Sequence, residues 1–435
     1  MQVSIETLSG LERKMTIAVP SEKVESQVQN RLQEAAKSIR MKGFRQGKVP
    51  MKVVRERYGK GVRQEVIGEV MSRSYYEALG QEKVRPAGQP RIEPTSMEEG
   101  QDLEFQAIFE VYPQVNLQDF STIEIEKKVA EITESDIDKM VETLRQQRQS
   151  WAETDRNAQD SDQVVIDFEG RMDGELFDGG SAKGTKLVLG SKRMIDGFES
   201  GLVGASRDEE KVLNLVFPEN YQKHDFAGKP VEFRVTVRKI SEPVLPELND
   251  EFFASFDIKE GGVEAFRTEV KSNMARELKN AVRNSVRNQV VEGLLKIHTV
   301  ELPRALVEGE IDTLRKQAVQ QYGGGRQKID ESMLPADLFR EQANKRVSLG
   351  LIMNEIITSN SLKADPDKVR SLVEELAESY EQPQEVVNWY YSNKDQLAQV
   401  EAMAMEEAVI DHVLGNAKVN EVSCGYEDAL KASAS

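Results

Sequence analysis

At 435 residues the chain is longer than one hydrophobic core sustains, since single cores stop growing at roughly 250 to 300 residues, and several domains are expected. With 31% charged residues, 39% hydrophobic residues and a net charge of −17, the chain reads as soluble and self-repelling, so any polyanionic partner must be met by a local patch. The single cysteine, Cys424, excludes a disulfide framework and a Cys-based metal site, and no run of about 18 uncharged apolar residues is present to cross a membrane. Met1 to Leu11 lacks a basic segment followed by an apolar run, and a cytoplasmic location is expected. His224, His298 and His412 are scattered without ligand spacing, and Gly323-Gly324-Gly325 lacks the Lys-Ser/Thr of a phosphate loop and reads as a helix break. Neither a metal nor another cofactor is expected.

In chain order, Val3, Ile5 and Thr7 and then Met15 to Val19 have strand character. Val24, Val28, Leu32, Ala36 and Ile39 recur at helical steps after Pro20-Ser21, and a second helix is expected over Val62 to Leu79. Prolines 86, 90 and 94 forbid a helix, and Leu103, Phe105, Ala107, Phe109 and Val111 alternate as a strand. Thr133-x-x-Asp136 is a capping box that opens a helix to about Gln149, read as a connecting arm. From Gln163 to Ile240 short strands and glycines dominate: Val164 to Phe168, Lys186 to Gly190, Glu210 to Val216 and Val231 to Ile240, closed by Pro243 and Pro246. After Asn249 the chain is helical to about Leu414, with breaks at Pro303, the triple glycine, Pro335, Pro366 and Pro383.

The stretch Gly43-Phe44-Arg45-Gln46-Gly47-Lys48-Val49-Pro50 separates two helical regions, and its glycines and proline shape an exposed loop. Between Lys37 and Arg63 stand ten Lys/Arg and one acid, Glu56, in a chain that is otherwise acidic. A solvated basic helix-loop-helix would explain the charge, but an aromatic between Arg45 and Lys48 suits a docking point that joins burial to charge-assisted contact. The run resembles, nearly letter for letter, the GFRxGKxP signature of trigger factors. That resemblance implies docking on the large ribosomal subunit beside the tunnel exit, against a ribosomal protein and rRNA. Phe44, Arg45 and Lys48 would make contact, and Gly43, Gly47 and Pro50 would fix the loop's shape.

A second resemblance covers Gln163 to Ile240. Val165 to Gly170, Asp173-Gly174-Glu175-Leu176-Phe177-Asp178, Leu189-Gly190 and Met194-Ile195-Asp196-Gly197-Phe198-Glu199-Ser200-Gly201-Leu202, followed by Phe233, Val235 and Val237, look like the FKBP-type peptidyl-prolyl isomerase pattern in order. The chemistry needs no nucleophile, because the barrier of about 18 to 20 kcal/mol is amide resonance, and a water-poor aromatic site favours the twisted amide. Phe168, Phe177, Ile195, Phe198, Tyr221 and Phe233 are the candidate lining, with ordinary core packing as the alternative, and Asp178 beside them is the candidate orienting carboxylate. Phe168 stands where such enzymes usually carry tyrosine, and Phe198 where they often carry tryptophan.

In the helical remainder, Val282, Val286, Val290 and Leu294 repeat by four, a core pattern. Leu245 to Phe253 continues the trigger-factor resemblance, which implies a body with helical arms that hold unfolded chains. Met333, Met353, Met403 and Met405 with Phe339, Trp389, Tyr390 and Tyr391 could supply adaptable contacts. The expected fold class is α+β multidomain. Residues 1–112 form a ribosome-docking α+β domain, 113–150 a connecting arm, 151–245 an FKBP-like β-rich domain and 246–435 a large all-α domain with helical arms. The function this implies is a chaperone that binds nascent and unfolded polypeptides at the ribosome, catalyses cis/trans isomerisation of X-Pro bonds, has no membrane or DNA partner, and could form a homodimer when free. The alternatives are a stand-alone prolyl isomerase without a ribosomal role and an RNA-binding protein, the latter disfavoured by the acidic total and by the lack of an RRM or KH signature.

Overall fold

The computed structural model describes residues 1–39, 44, 48–221, 223, 225–322, 334–378, 380 and 382–431. Two units emerge, each assembled from two stretches of chain: Met1–Lys127 with Asn284–Val422, and Lys128–Arg283 with Ser423–Ser435. The fold is mixed, with a β-rich part in the middle of the sequence and helices towards its end.

β1 (Gln2–Ser9) and β2 (Glu12–Val19) pair antiparallel, placing Val3 opposite Ile17 and Ile5 opposite Met15. α1 (Ser21–Ser38) buries Val24, Val28 and Leu32, the stripe that its four-residue spacing dictates. α2 spans Met51–Glu82, so it begins eleven residues before the expected Val62. Pro50 stands at its N-cap, and the early turns hold because Val53, Val54, Tyr58 and Val62 recur at helical steps against the core while Lys and Arg between them are good helix formers. β3 (Arg91–Ser96) and β4 (Leu103–Glu110) complete a sheet of order β1-β2-β4-β3. Pro94 is tolerated because β3 is an edge strand, and the register shifts between Pro94 and Ser96. Met15, Ile17, Val19, Leu103, Phe105, Ala107 and Phe109 alternate inward to form one core with the helices.

β5 (Glu124–Val129) was not foreseen; its partner lies almost 300 residues away. α3 (Glu134–Gln147) starts with both halves of the capping box formed, Thr133 Oγ1 accepting from Asp136 N–H at 3.3 Å and Asp136 Oδ2 accepting from Thr133 N–H at 3.0 Å. β6 (Ser150–Glu153), β7 (Gln163–Met172), β8 (Glu175–Val188), the short α4 (Phe198–Leu202), β9 (Glu210–Val216) and β10 (Pro230–Val244) follow. Their sheet has order β6-β10-β7-β8, with β9 on β10. β10 runs on through Pro243 because beyond Ser241 its one neighbour is β6, so the missing N–H costs no ladder bond on a second side.

α5 (Asp250–Ala254) is capped by Asn249, and α6 (Gly262–Ile297) carries Val286, Val290 and Leu294 as buried positions. α7 (Arg304–Tyr322), α8 (Asp337–Asn360), α9 (Pro366–Ala377) and α10 (Pro383–Ser392) each start at or just after an expected break, Pro303, Pro335, Pro366 and Pro383, whereas α11 (Lys394–Leu414) starts at an Asn393 cap that was not foreseen. The triple glycine and Met333 lie outside the described residues. β11 (Lys418–Ser423) returns to pair with β5, and α12 (Tyr426–Lys431) ends the described chain. No helix among the described residues is long and apolar enough to cross a membrane.

Tyr75 of α2 is 1% exposed, and its hydroxyl has no hydrogen-bond partner among the described residues. Burial, with Tyr76 a smaller contributor, pushes its pKa up to about 12. A buried hydroxyl without a partner costs free energy that a phenyl ring does not, so Tyr75→Phe is expected to leave stability unchanged or raise it by about 1 kcal/mol. Urea unfolding with an unchanged m value is the measurement, and a clear loss of stability would refute the assignment.

Candidate functional site

The β-rich part collects its aromatic rings into one connected group. β7 supplies Phe168, β8 supplies Phe177, α4 supplies Phe198 and β10 supplies Phe233. Phe233 lies 5.2 Å from Phe198, 6.1 Å from Phe168 and 6.3 Å from Phe177 between ring centroids, in each case edge to face. Phe177 continues the chain to Phe226 at 5.1 Å and Phe217 at 6.0 Å, and Phe217 reaches Tyr221 at 4.7 Å. The group is graded in depth. Phe198, Phe217 and Phe233 are buried, whereas Phe168, Phe177, Ile195, Tyr221 and Phe226 are half-buried around them. Three rings are thus enclosed, and the others keep part of their surface at solvent.

Phe177 fits because two glycines flank it. A Cβ on Gly180 would lie 2.6 Å from Phe177 Cζ, and one on Gly170 would lie 2.8 Å from Phe177 Cε1 and 2.6 Å from Phe233 Cε1. The hairpin that brings β8 back over β7 turns on Asp173-Gly174, both at positive φ (51° and 86°), the pairing a two-residue primed turn requires. The Asp178 side chain lies outside the described residues.

Glu199 is a residue whose role the sequence reading did not assign. It is 7% exposed, and its carboxylate accepts from the backbone N–H groups of Lys192 (2.9 Å), Arg193 (2.8 Å) and Met194 (3.2 Å) and from Ser191 Oγ (3.2 Å). Burial alone would raise its pKa, but these donors outweigh burial and hold it below the usual carboxylate range. The carboxylate thereby ties down the segment that leads into Ile195. Beside Phe168, Asp167 accepts from Arg238 Nε and Gly184 N–H, both at 2.8 Å, and these bonds likewise lower its pKa.

The second candidate, the basic loop, joins α1 to α2. Gly43, Arg45 and Gly47 lie outside the described residues. Phe44 is 42% exposed, Lys48 and Pro50 are exposed, and Val49 between them is buried. Ile39 before the loop packs in part against the same core. The described residues on either side, Ile39 and Val49, thus pack against the core while Phe44 is exposed.

Residues 1–144 match the model of the bacterial trigger factor protein, residues 262–415 that of the trigger factor C-terminus, and residues 154–238 that of the FKBP-type peptidyl-prolyl cis-trans isomerase. Trigger factors of Pseudomonas fluorescens strain Pf0-1 and Stutzerimonas stutzeri strain A1501 are each 52% identical to the chain over 431 residues, covering 99% of it and 98% of their own length. The chain belongs to the trigger factor family. A solved structure concerned with substrate recognition by the trigger factor chaperone aligns over 95% of this chain and 99% of its own, at 17% identity and a TM-score of 0.49. The family models and the full-length relatives make the chain a trigger factor-type chaperone that contains an FKBP-type isomerase domain.

Of the predicted lining residues of this trigger factor, Phe168, Phe177, Ile195, Phe198, Tyr221 and Phe233 all fall in the one aromatic cluster. Phe217 and Phe226 belong to it as well and were missed, although Leu213, Leu215 and Phe217 alternate along β9 and its end as an inward set should. Glu199→Gln replaces an acceptor oxygen by an amide donor facing N–H groups, and is expected to cost about 2 kcal/mol at neutral pH. Because the folded pKa is lowered, the carboxylate's contribution is complete above the ordinary glutamate range and is lost as pH falls through the lowered value. Wild type and variant should therefore converge in stability on acidification; a pH-independent gap in urea midpoints would reject this role.

Proposed function

We propose that this trigger factor docks on the large ribosomal subunit near the tunnel exit through the Phe44 loop, receives nascent chains there, and isomerises their X-Pro bonds at the aromatic cluster. The observation that carries the docking half is Phe44: a phenyl ring 42% exposed on a loop pinned by Val49, in a basic stretch of an acidic chain. Phe44 supplies apolar area, Arg45 and Lys48 supply charge for rRNA or a carboxylate, and Gly43, Gly47 and Pro50 shape the turn. Residues 1–112 serve as the docking domain, 113–150 as the arm, 151–245 as the isomerase and 246–435 as the chaperone body. The site of action is the cytoplasm.

In the isomerase half, a prolyl ring would rest on the half-buried edges of Phe168, Phe177, Ile195 and Tyr221, over the floor of Phe198 and Phe233. Twisting the amide removes resonance and its charge separation, so a surface that withholds water lowers the barrier without a nucleophile, and Asp178 would orient the peptide. Exposed Trp389, Tyr391, Tyr380 and Met403 in and around α9 to α11 offer apolar contacts for unfolded chains.

The two halves are separable by experiment. Replacing Phe44, Arg45 and Lys48 together by alanine is expected to abolish co-sedimentation with ribosomes while leaving circular dichroism and isomerase activity intact. Undiminished sedimentation would instead favour a stand-alone folding enzyme. Ile195→Ala with Tyr221→Ala is expected to lower kcat/KM on an X-Pro peptide by about tenfold, equivalent to ~1.4 kcal/mol of transition-state binding, with sedimentation unchanged. Full activity in that variant would demote the cluster to core packing.

A further inference from the structure

The basic stretch is wider than the loop. Arg63 is occupied: it pairs with Glu25 and donates to the Glu98 carbonyl at 3.2 Å. Lys52, Arg55 and Lys60 on the first turns of α2 are exposed, and among the described residues none of them forms an ion pair. At 100° per residue the three fall within about 140° of arc, and from Lys52 to Lys60 the helix rises about 12 Å. Glu56, one turn from both Lys52 and Lys60, is the carboxylate on that arc. The apolar residues of these turns are spent: Val53, Val54, Tyr58 and Val62 pack against the core beneath, while Arg57 is exposed outside that arc.

We infer that Lys52, Arg55 and Lys60 form a phosphate-backbone track, a second contact with structured RNA that continues from the loop along α2. The inference rests on the docking reading and adds to it an electrostatic component outside the signature loop. A helix face of separated cations suits a strand of phosphates, where each cation releases a condensed counterion. A bilayer surface fits less well, because the apolar side of these turns is already buried and nothing remains to insert among lipid chains. The dispersal also fits a partner read by shape and charge without base recognition.

The test is the salt dependence of binding to vacant ribosomes by the full chain carrying Lys52→Gln, Arg55→Gln and Lys60→Gln. Three lost phosphate contacts, at about 0.9 each on a duplex, flatten the plot of log affinity against log salt by about 2.7, so between about 50 and 200 mM salt the wild type loses about 40-fold more affinity than the variant. Phe44→Ala, by contrast, should weaken binding in parallel at every salt concentration. Glu56→Gln, which adds to the positive potential, should bind more tightly than wild type. A wild-type slope in the triple variant alongside weaker binding by Phe44→Ala overturns the track and leaves the docking reading standing. If neither the triple variant nor Phe44→Ala differs from wild type, both fall. If the triple variant keeps the ribosome slope but loses binding to phosphatidylserine vesicles, the surface is a lipid contact and the RNA assignment is overturned.

Discussion

A phenyl ring stays in water only where the chain cannot fold it away, and the core under α1 and α2 imposes that condition on Phe44. Val49 is buried in this core, Ile39 packs in part against it, and Val54 one turn later is fully enclosed. The apolar positions near the loop are therefore already filled from the strands and from both helices, with Met15, Ile17, Phe105 and Phe109 completing the set. Close-packed interiors admit no extra ring without displacing another. Exposure of Phe44 follows from a satisfied core, and the proposed docking function uses what that core leaves outside.

The isomerase-like part solves the opposite problem, keeping aromatic area accessible inside a small β module without losing its core. It does so by stacking rings in depth. Phe198 and Phe233 are buried and hold Phe168 and Phe177 at edge-to-face distances, so the outer rings have fixed positions although they are half-exposed. Gly170 and Gly180 leave the space into which Phe177 fits, and Glu199 fixes the chain before Ile195 by four hydrogen bonds. A rigid apolar surface suits a reaction whose catalysis depends on excluding water and not on a reactive group.

Local signals were legible in the amino-acid sequence wherever one element determined itself. The Thr133 capping box, the inward alternation of β4 and the proline-led starts of α7, α9 and α10 needed no distant partner, and each is found where the pattern put it. The gathering of Phe168, Phe177, Ile195, Phe198, Tyr221 and Phe233 into one hydrophobic cluster was legible for a different reason, a motif order shared with a known family. Long-range partners were not legible. β5 and β11 are held by pairing between segments that start 294 residues apart, with Lys418 N–H donating to Ile123 O at 2.9 Å, and neither strand is strongly apolar by itself. β8 begins eleven residues before the expected start at Lys186 because β7 templates it, through the polar and glycine-rich stretch that masks its strand character. Glu199 escaped for a similar reason: a glutamate in a motif gives no sign that it will be buried until the donors that satisfy it are placed around it.

Charge is distributed along this chain with a consequence for how it meets a partner. A net charge of −17 that includes a local surplus of nine positive charges between Lys37 and Arg63 leaves −26 on the rest. Near an anionic surface most faces of such a molecule are repelled, and the turn between α1 and α2 is attracted. With screening over about 8 Å at physiological salt, the preference acts only at close approach, where it selects orientation more than it adds affinity. An apolar contact such as Phe44 is insensitive to salt and falls off within a contact distance, so it has value only once that orientation is achieved. Cations that orient and a ring that anchors are therefore complementary, which gives a physical reason for a chain so acidic to concentrate its basic residues around one exposed aromatic.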